Sequence, residues 1–333
     1  MLWDNIARWN SGAGSGGVEM QRPVEPTARG KVKIGLALGG GAARGWSHIG
    51  VVRVLAEAGI VPDVIAGSSI GAVVGGCYAA GKLDQLEAFA RSLTKRRVMG
   101  LLDFHIGGSG LIGGGRLQRL LDHDLTSERV EQLPIRFVTI ATELVTGHEI
   151  WLTKGPLVQA MRASYALPGI FEPVRVGGRW LMDGALVNPI PITAARALGA
   201  DLVICVNLNG EVRVRGTVIQ SYDADTSDQQ EIETAISEPR RWGIFPIARP
   251  NRPPRPDAPG LATVMVDAFN ITQDRIARSR LAGDPPDIMI SPKLAKMGLF
   301  EFHRAEEYIA LGRQAAERAL PDILDLVKES QRA

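Results

Sequence analysis

The chain has 333 residues, 45% of them hydrophobic and 22% charged, which is typical of a soluble globular protein with one large α/β domain or two small ones. A net charge of +2 excludes a global field that attracts nucleic acid or anionic lipid, so no nucleic-acid partner is expected. Cys77 and Cys205 lie in apolar runs without metal-ligand spacing, which predicts buried, reduced thiols in a cytoplasmic protein without a metal site.

The first 30 residues predict an extension that ends in a polar, glycine-containing linker. Acidic residues interrupt this stretch and it has no apolar core, which argues against a secretory signal. Residues 1–10 place apolar side chains near one helical face, which fits a terminal helix docked on the protein body or a segment at a membrane interface. Residues 61–81 are apolar, but an aspartate, two serines and five glycines interrupt them, so no transmembrane span is predicted.

Residues 31–38 predict the first strand, and the glycine-rich loop Gly39-Gly40-Gly41-Ala42-Ala43-Arg44-Gly45 follows it. Helical spacing then continues to about Ala58. Backbone N–H groups and the helix dipole converge after such a loop, which favours a site for negative charge. A P-loop would need a lysine directly after its last glycine, whereas Trp46 stands there. The pattern therefore favours an oxyanion hole, which needs only the N–H groups.

The next strand, at residues 63–66, leads into Gly67-Ser68-Ser69-Ile70-Gly71, which fits the pattern G-x-S-x-G. An apolar helix follows at once and continues to about Ala80. A strand, a tight turn and a helix in this order predict a nucleophile elbow with Ser69 at its apex. The alternative is an ordinary turn between a strand and a helix.

Further elements follow in chain order. Helices are predicted at residues 83–94, 116–121, 156–164, 192–198, 261–281 and 304–319, and strands at 135–144, 149–153, 201–207 and 287–291. The first two of these strands predict a hairpin through Gly147. In residues 95–102, three basic residues precede an apolar run. This pattern is typical of a solvated helix end beside a core segment, or of a segment that contacts an acidic lipid surface. The glycine-rich residues 106–115 predict a mobile loop or lid.

Asp183 stands at the end of a further strand and is followed by Gly184 and by Asn188-Pro189. These residue types are typical of turns. The local pattern alone therefore leaves open whether Asp183 shapes a turn or has a chemical function.

Residues 211–260 interrupt the α/β pattern. Six acidic residues and no basic ones lie between Tyr222 and Glu238, and seven prolines and five arginines lie between Pro239 and Pro259. This composition predicts a long surface excursion that is partly disordered. Within it, residues 240–245 are the best candidate for membrane contact.

Three motifs occur in order: G-x-G-x-x-R-G after the first strand, G-x-S-x-G after the second, and Asp183-Gly184-Ala185 far downstream. In this combination the chain resembles the patatin-like phospholipases. Residues 41–51 are similar to the bacterial RssA-like branch of that family. The resemblance covers residues 33–207 well and the last 75 residues more loosely.

The resemblance implies a three-layer α/β/α patatin-like fold with a central, mostly parallel sheet. The patatin-like domain would span residues 31–320, with the flexible insertion at 211–260 and a tail at 321–333. The implied nucleophile is Ser69 and its partner is Asp183, while Ser68 stands where the family often has threonine. The implied oxyanion and substrate-binding residues are Gly39, Gly40, Gly41, Ala42, Arg44 and Ile70.

The implied chemistry needs an unusual carboxylate, since a free aspartate has a pKa near 3.9 and is a poor base for a serine hydroxyl at neutral pH. Desolvation would make Asp183 more basic, so that it could take the Ser69 proton, pass it to the leaving alcohol and activate water. The alternative is a Ser-His-Asp triad. His48 is the histidine nearest to a motif, but its helix is expected to carry it away from the apex.

The leading function is therefore a serine-dependent acyl hydrolase that acts on phospholipids, lysophospholipids or other fatty-acyl esters without a cofactor. Acyl transfer to another alcohol would use the same residues. A non-catalytic lipid-binding regulator or membrane adaptor would keep the fold. The protein is expected in the cytoplasm, with peripheral contact at the inner face of the membrane. A nucleotide-binding protein is disfavoured because the glycine loop lacks the lysine.

Overall fold

The computed structural model describes residues 32–96, 98, 121–122, 125–209, 261–295 and 297–332. An eight-stranded sheet lies at the centre of these residues. Its strands are β1 (Ile34–Leu38), β2 (Val64–Ser68), β3 (Arg136–Glu143), β4 (Glu149–Leu152), β5 (Val174–Val176), β6 (Arg179–Asp183), β7 (Leu202–Val206) and β8 (Ile288–Ile290). Their order is β5-β6-β3-β2-β1-β7-β8, with β4 also paired to β3.

The sheet is mostly parallel, as predicted. Strands β1, β2, β3, β7 and β8 run parallel, while β4, β5 and β6 pair in antiparallel fashion. The predicted hairpin between β3 and β4 is present, and Gly147 in its turn has a φ of 71°, which a residue with a side chain rarely adopts. Strand β5 was not predicted, because three residues are too short to show a period.

Helices cover both faces of the sheet. They are α1 (Ser47–Glu57), α2 (Ile70–Ala79), α3 (Leu83–Ser92), α4 (Leu157–Tyr165), α5 (Ile192–Ala197), α6 (Leu261–Gly283) and α7 (Ala305–Arg332). Alternate strand residues enter two separate cores, as the strand period requires: Leu36 packs with α1, α2 and α7, whereas Ala37 packs with α5 and with Ala277 of α6. The described chain thus has the three layers that the resemblance implied.

The last helix differs from its prediction. The sequence pattern ended it near Ala319, with a tail at 321–333, but α7 continues through Pro321 to Arg332. Ile323 is fully buried against the core, and this packing favours continuation although proline cannot donate a backbone hydrogen bond.

Helices α1 and α7 pack at van der Waals distance through two glycines. A Cβ on Gly50 would lie 2.0 Å from the carbonyl oxygen of Ile309, and one on Gly312 would lie 1.9 Å from that of Ser47. Each glycine therefore leaves the space that the other helix's backbone occupies. This contact fixes α7 on the helix that follows the glycine-rich loop.

Several predictions concern residues outside those described: the extension at 1–30, the loop at 106–115, most of the helix at 116–121 and the excursion at 211–260. Among the residues that are described, no helix is both long enough and apolar enough to cross a bilayer.

Candidate active site

The glycine-rich loop and the predicted elbow lie side by side because their strands are neighbours. Strands β1 and β2 pair in parallel, with Leu38 opposite Gly67, so the loops that follow both strands leave the same edge of the sheet. Glycines permit the contact between them. A Cβ on Gly71 would lie 2.2 Å from the carbonyl oxygen of Leu38, and one on Gly45 would lie 2.2 Å from Cγ2 of Ile70.

Ser69 has the strained backbone of an elbow. Its φ of 55° and ψ of −125° lie in a region that residues with a side chain rarely adopt. Glycine is required at position 67, two residues before Ser69, because a Cβ there would lie 2.5 Å from Cα of Ala72. The N–H of Ser69 donates to Oγ of Ser164 on α4 at 3.0 Å. Ser164 of α4 therefore fixes the backbone N–H at the apex of the turn.

Strand β6 brings Asp183 to the level of this turn. Ser68 pairs with Ile140 of β3, and Asp183 pairs with the next residue, Ala141. Gly184 then lets the chain turn away, since a Cβ there would lie 2.1 Å from the carbonyl oxygen of Ile140. The Asp183-Gly184 pair is thus explained by a close backbone approach as well as by turn chemistry.

The side chains of Ser69 and Asp183 are in direct contact. Oγ of Ser69 donates to Oδ2 of Asp183 at 2.6 Å, and the N–H of Ala185 donates to Oδ1 at 2.8 Å. Asp183 is 1% exposed, and this burial raises the pKa of its carboxyl to about 7, in the direction expected from the sequence. A carboxylate with this pKa can accept a proton from a hydroxyl at neutral pH and return it.

The glycine-rich loop has only some of its N–H groups free. Those of Gly39 and Gly40 donate to the carbonyls of Val206 and Pro189. Within the described part of the chain, the N–H groups of Gly41 and Ala42 have no acceptor. The N–H groups of Gly39 and Gly40 therefore position the loop, and the assignment of this stretch to oxyanion and substrate binding stays a prediction.

Arg44 also fastens the loop. Its Nε and Nη2 donate to the carbonyl oxygen of Met297 at 3.2 and 3.1 Å, and the N–H of Ala43 donates to that of Leu299. The segment before α7 thus holds the loop at two points. The resemblance implied Arg44 as an oxyanion or substrate-binding residue. In the structure, its guanidinium positions the glycine-rich loop.

His48 does not join Ser69 to Asp183. Its Nε2 lies 2.8 Å from the carbonyl oxygen of Gly39, and complete burial lowers its pKa to about 4, so the ring is neutral. The ring supports the glycine-rich loop from the first turn of α1. His105 and His123 lie outside the described residues.

Two polar side chains near the site were missed by the sequence analysis, namely Ser164 and Gln273. Ser164 lies 95 residues from its partner Ser69. Gln273 is 3% exposed on α6, and its Nε2 lies near Gly40. Neither stands in a local motif, so no sequence signal could have found them. No group of side chains among the described residues could hold a metal ion.

Comparisons with known proteins show which families and structures the chain is similar to. A model of the patatin-like phospholipase family matches residues 36–196. An uncharacterized NTE family protein of Mycobacterium tuberculosis is 38% identical over 86% of this chain and 91% of its own length. The lysophospholipase nte1 of Emericella nidulans is 25% identical over 84% of this chain, but only 17% of its own length is matched. The crystal structure of VipD from Legionella pneumophila has a TM-score of 0.43 and 14% identity, covering 89% of this chain and 68% of VipD. The RssA-like branch stays a prediction.

Proposed function

The chain belongs to the patatin-like phospholipase family, and from that premise we propose that it is a serine esterase that hydrolyses acyl esters of phospholipids or lysophospholipids through an acyl-enzyme. Family membership and the lysophospholipase relatives support lipid hydrolysis. The pair formed by Ser69 and Asp183 is the proposed catalytic dyad.

In the first step, Oγ of Ser69 attacks the carbonyl carbon of the ester while its proton passes to Oδ2 of Asp183. The 2.6 Å contact between these atoms is the observation that carries the proposal, because it needs no rearrangement before proton transfer. Since the pKa of Asp183 is raised to about 7, proton transfer from the hydroxyl costs less than with an ordinary aspartate.

The tetrahedral intermediate carries a negative charge on the former carbonyl oxygen. We assign its stabilisation to the N–H groups of Gly41 and Ala42, together with that of Ile70 at the start of α2. Each of these N–H groups lacks an acceptor among the described residues. Loss of one such donor typically lowers the rate by about 10²–10³.

The intermediate collapses by breaking the bond between the carbonyl carbon and the alcohol oxygen, and Asp183 returns its proton to that oxygen. Water then attacks the acyl-enzyme and gives a proton to Asp183. When the second intermediate collapses, the fatty acid leaves and Oγ of Ser69 regains the proton. One ester and one water thus yield one acid and one alcohol, and the enzyme is unchanged.

A fluorophosphonate probe tests the nucleophile, because it forms a covalent bond only with an activated serine. We expect labelling of the wild type and of Ser68→Ala, and no labelling of Ser69→Ala. Ser68 is a matched control, since it is the adjacent buried serine and its Oγ has no hydrogen-bonding partner among the described residues. A folded wild type that is not labelled would contradict the enzyme and favour a lipid-binding regulator.

We also propose peripheral membrane contact at the edge of the sheet that carries the site. Leu144 and Val145 follow the carboxyl end of β3 and are 47% and 84% exposed, and Trp180 beside them is 48% exposed. An apolar rim near the site would let a lipid ester pass directly from the bilayer to Ser69.

In liposome co-sedimentation, Val145→Glu should weaken binding of the protein to the liposomes. Val61→Glu should not, because the exposed Val61 precedes β2 at the opposite edge. Equal binding of both variants would rule out this rim.

A further inference from the structure

The proposed oxyanion donor Ala42 has a strained backbone. Its φ of 49° lies in the left-handed region, which a residue with a side chain rarely adopts. Such strain persists only where the surrounding structure holds it. Here the next two residues are held: the N–H of Ala43 donates to the carbonyl oxygen of Leu299 at 2.8 Å. The guanidinium of Arg44 donates twice to that of Met297. The position of the Ala42 N–H therefore depends on where these two carbonyls lie.

Gly298 lies between the two carbonyls, and both of its backbone groups are bound by side chains that follow it. Its N–H donates to Oε2 of Glu301 at 2.9 Å, and its carbonyl oxygen accepts from the hydroxyl of Tyr308 at 2.5 Å. Nη1 of Arg304 also donates to Oε2 of Glu301, at 2.8 Å. Because glycine has more backbone freedom than other residues, the peptide at position 298 would rotate readily without these contacts. A rotation there would move the carbonyls on both sides of it.

Tyr308 is the contact that joins this segment to the core. It is fully buried one turn into α7, the helix that packs on α1. A buried hydroxyl without a partner is costly, so the ring and the Gly298 carbonyl fix each other's position. The Glu301–Arg304 pair is 38% and 29% exposed, and exposed ion pairs contribute little. The tyrosine therefore accounts for most of the hold on Gly298.

We propose that Tyr308 is a positioning residue for the oxyanion site. Its hydroxyl fixes the Gly298 peptide, and the carbonyls on either side of that glycine then hold the two residues after Ala42. The strained conformation at Ala42, which presents its N–H to the substrate oxygen, is thus maintained from α7. The inference rests on the proposed function for the role of the Ala42 N–H. The mechanical link between Tyr308 and the loop can be tested without it.

Amide hydrogen exchange, followed by mass spectrometry, tests this link without a substrate. Tyr308→Phe keeps the ring and removes only the hydroxyl. We expect peptides that cover residues 42–46 to exchange at least about fivefold faster in this variant, because the N–H of Ala43 loses its fixed acceptor, while β3 exchanges as in the wild type. Tyr78→Phe removes the same atom from a half-buried ring near the C-terminal end of α2, and this matched control should leave the loop unchanged.

Two results of the exchange experiment would overturn the inference. One is a loop that exchanges in Tyr308→Phe as it does in the wild type. The other is an equal acceleration in the loop and in β3, which would show that the hydroxyl contributes only to general stability.

Kinetics test the consequence for catalysis. On p-nitrophenyl octanoate, Tyr308→Phe should lower kcat about tenfold and leave KM within about twofold, because the displaced N–H matters in the transition state and not for binding of the ester. A trifluoromethyl ketone with the same acyl chain forms a tetrahedral adduct with the nucleophile, so its affinity should fall about as much as kcat. The corresponding ether has no carbonyl and should bind equally to both proteins. An unchanged kcat, or an equal loss of ether binding, would refute the positioning role.

A second variant tests the strain itself. Glycine adopts the φ of position 42 without cost, so Ala42→Gly should make the loop less dependent on the hold from α7. In this background, Tyr308→Phe should lower kcat by about threefold or less. A loss as large as that in the Ala42 background would mean that the tyrosine acts by another route. A wild type that does not hydrolyse the ester would refute the proposed function, and the exchange experiment would still decide whether Tyr308 holds the loop.

Discussion

Replacing Asp183 with asparagine should abolish hydrolysis and stabilise the fold. Asparagine can keep both contacts, since its Oδ1 can accept from the N–H of Ala185 while its Nδ2 donates to Oγ of Ser69. It removes the proton acceptor and keeps a partner for the amide oxygen and for one of the two amide N–H groups. The variant also removes a carboxyl whose ionisation disfavours folding.

The size of the stabilisation follows from the pKa. Burial raises the pKa of Asp183 from 3.8 to about 7, so the folded chain holds a proton that the unfolded chain releases between these values. Stability therefore falls as pH rises through this window, and the full penalty is present above about pH 7. This rise corresponds to a penalty of about 4 kcal/mol at pH 8 and of about 2 kcal/mol at pH 5.

Urea denaturation at pH 5 and pH 8 measures this difference. The advantage of Asp183→Asn over the wild type should increase by about 2–3 kcal/mol from pH 5 to pH 8. Asp325→Asn is the control, because that carboxylate is 76% exposed on α7. An advantage that stays constant with pH would show that Asp183 is not a buried carboxyl with a raised pKa, and the argument for its basicity would fail.

Three further changes test other parts of the structure. In thermal denaturation, Gly312→Ala should lower the free energy of unfolding by about 1–3 kcal/mol, because its Cβ would meet the backbone of Ser47. The control Gly283→Ala places its Cβ in open space and should leave the free energy of unfolding unchanged. Ser164→Ala should cost about 1–3 kcal/mol in urea denaturation, since the N–H of the nucleophile would lose its buried acceptor; an unchanged midpoint would contradict this role. In pH-stat assays of fatty-acid release, kcat/KM should fall about tenfold per pH unit below pH 7, as Asp183 becomes protonated; a flat profile from pH 5 to 8 would contradict its role as the base.

Much of the site could be predicted from the sequence because its signals are local. The pattern around Ser69 specifies a strand, a tight turn and a helix within a dozen residues, and each of these elements is present. Asp183 was harder, since its own neighbourhood is typical of a turn. Its place beside Ser69 depends on the pairing of β6 with β3, which is a long-range property.

The remaining features depend on which distant groups meet. A run of glycines shows where the backbone can approach closely, but not that the N–H groups of Gly39 and Gly40 already have acceptors in other loops. Ser164 and Gln273 are single polar residues in helical segments, with no motif around them. The predicted last helix ended near Ala319, yet α7 continues through Pro321, because Ile323 beyond it is buried in the core.

The fastening of the glycine-rich loop also sets an order of events during synthesis. Ser69 and Asp183 leave the ribosome while Met297, Leu299 and α7 are still to be made. Until that last segment arrives, the loop lacks the carbonyls that hold Ala43 and Arg44, and α1 lacks the helix that packs on it. A nascent chain therefore contains Ser69 and Asp183 before the glycine-rich loop is fastened, and the proposed oxyanion site is complete only after α7 has been made.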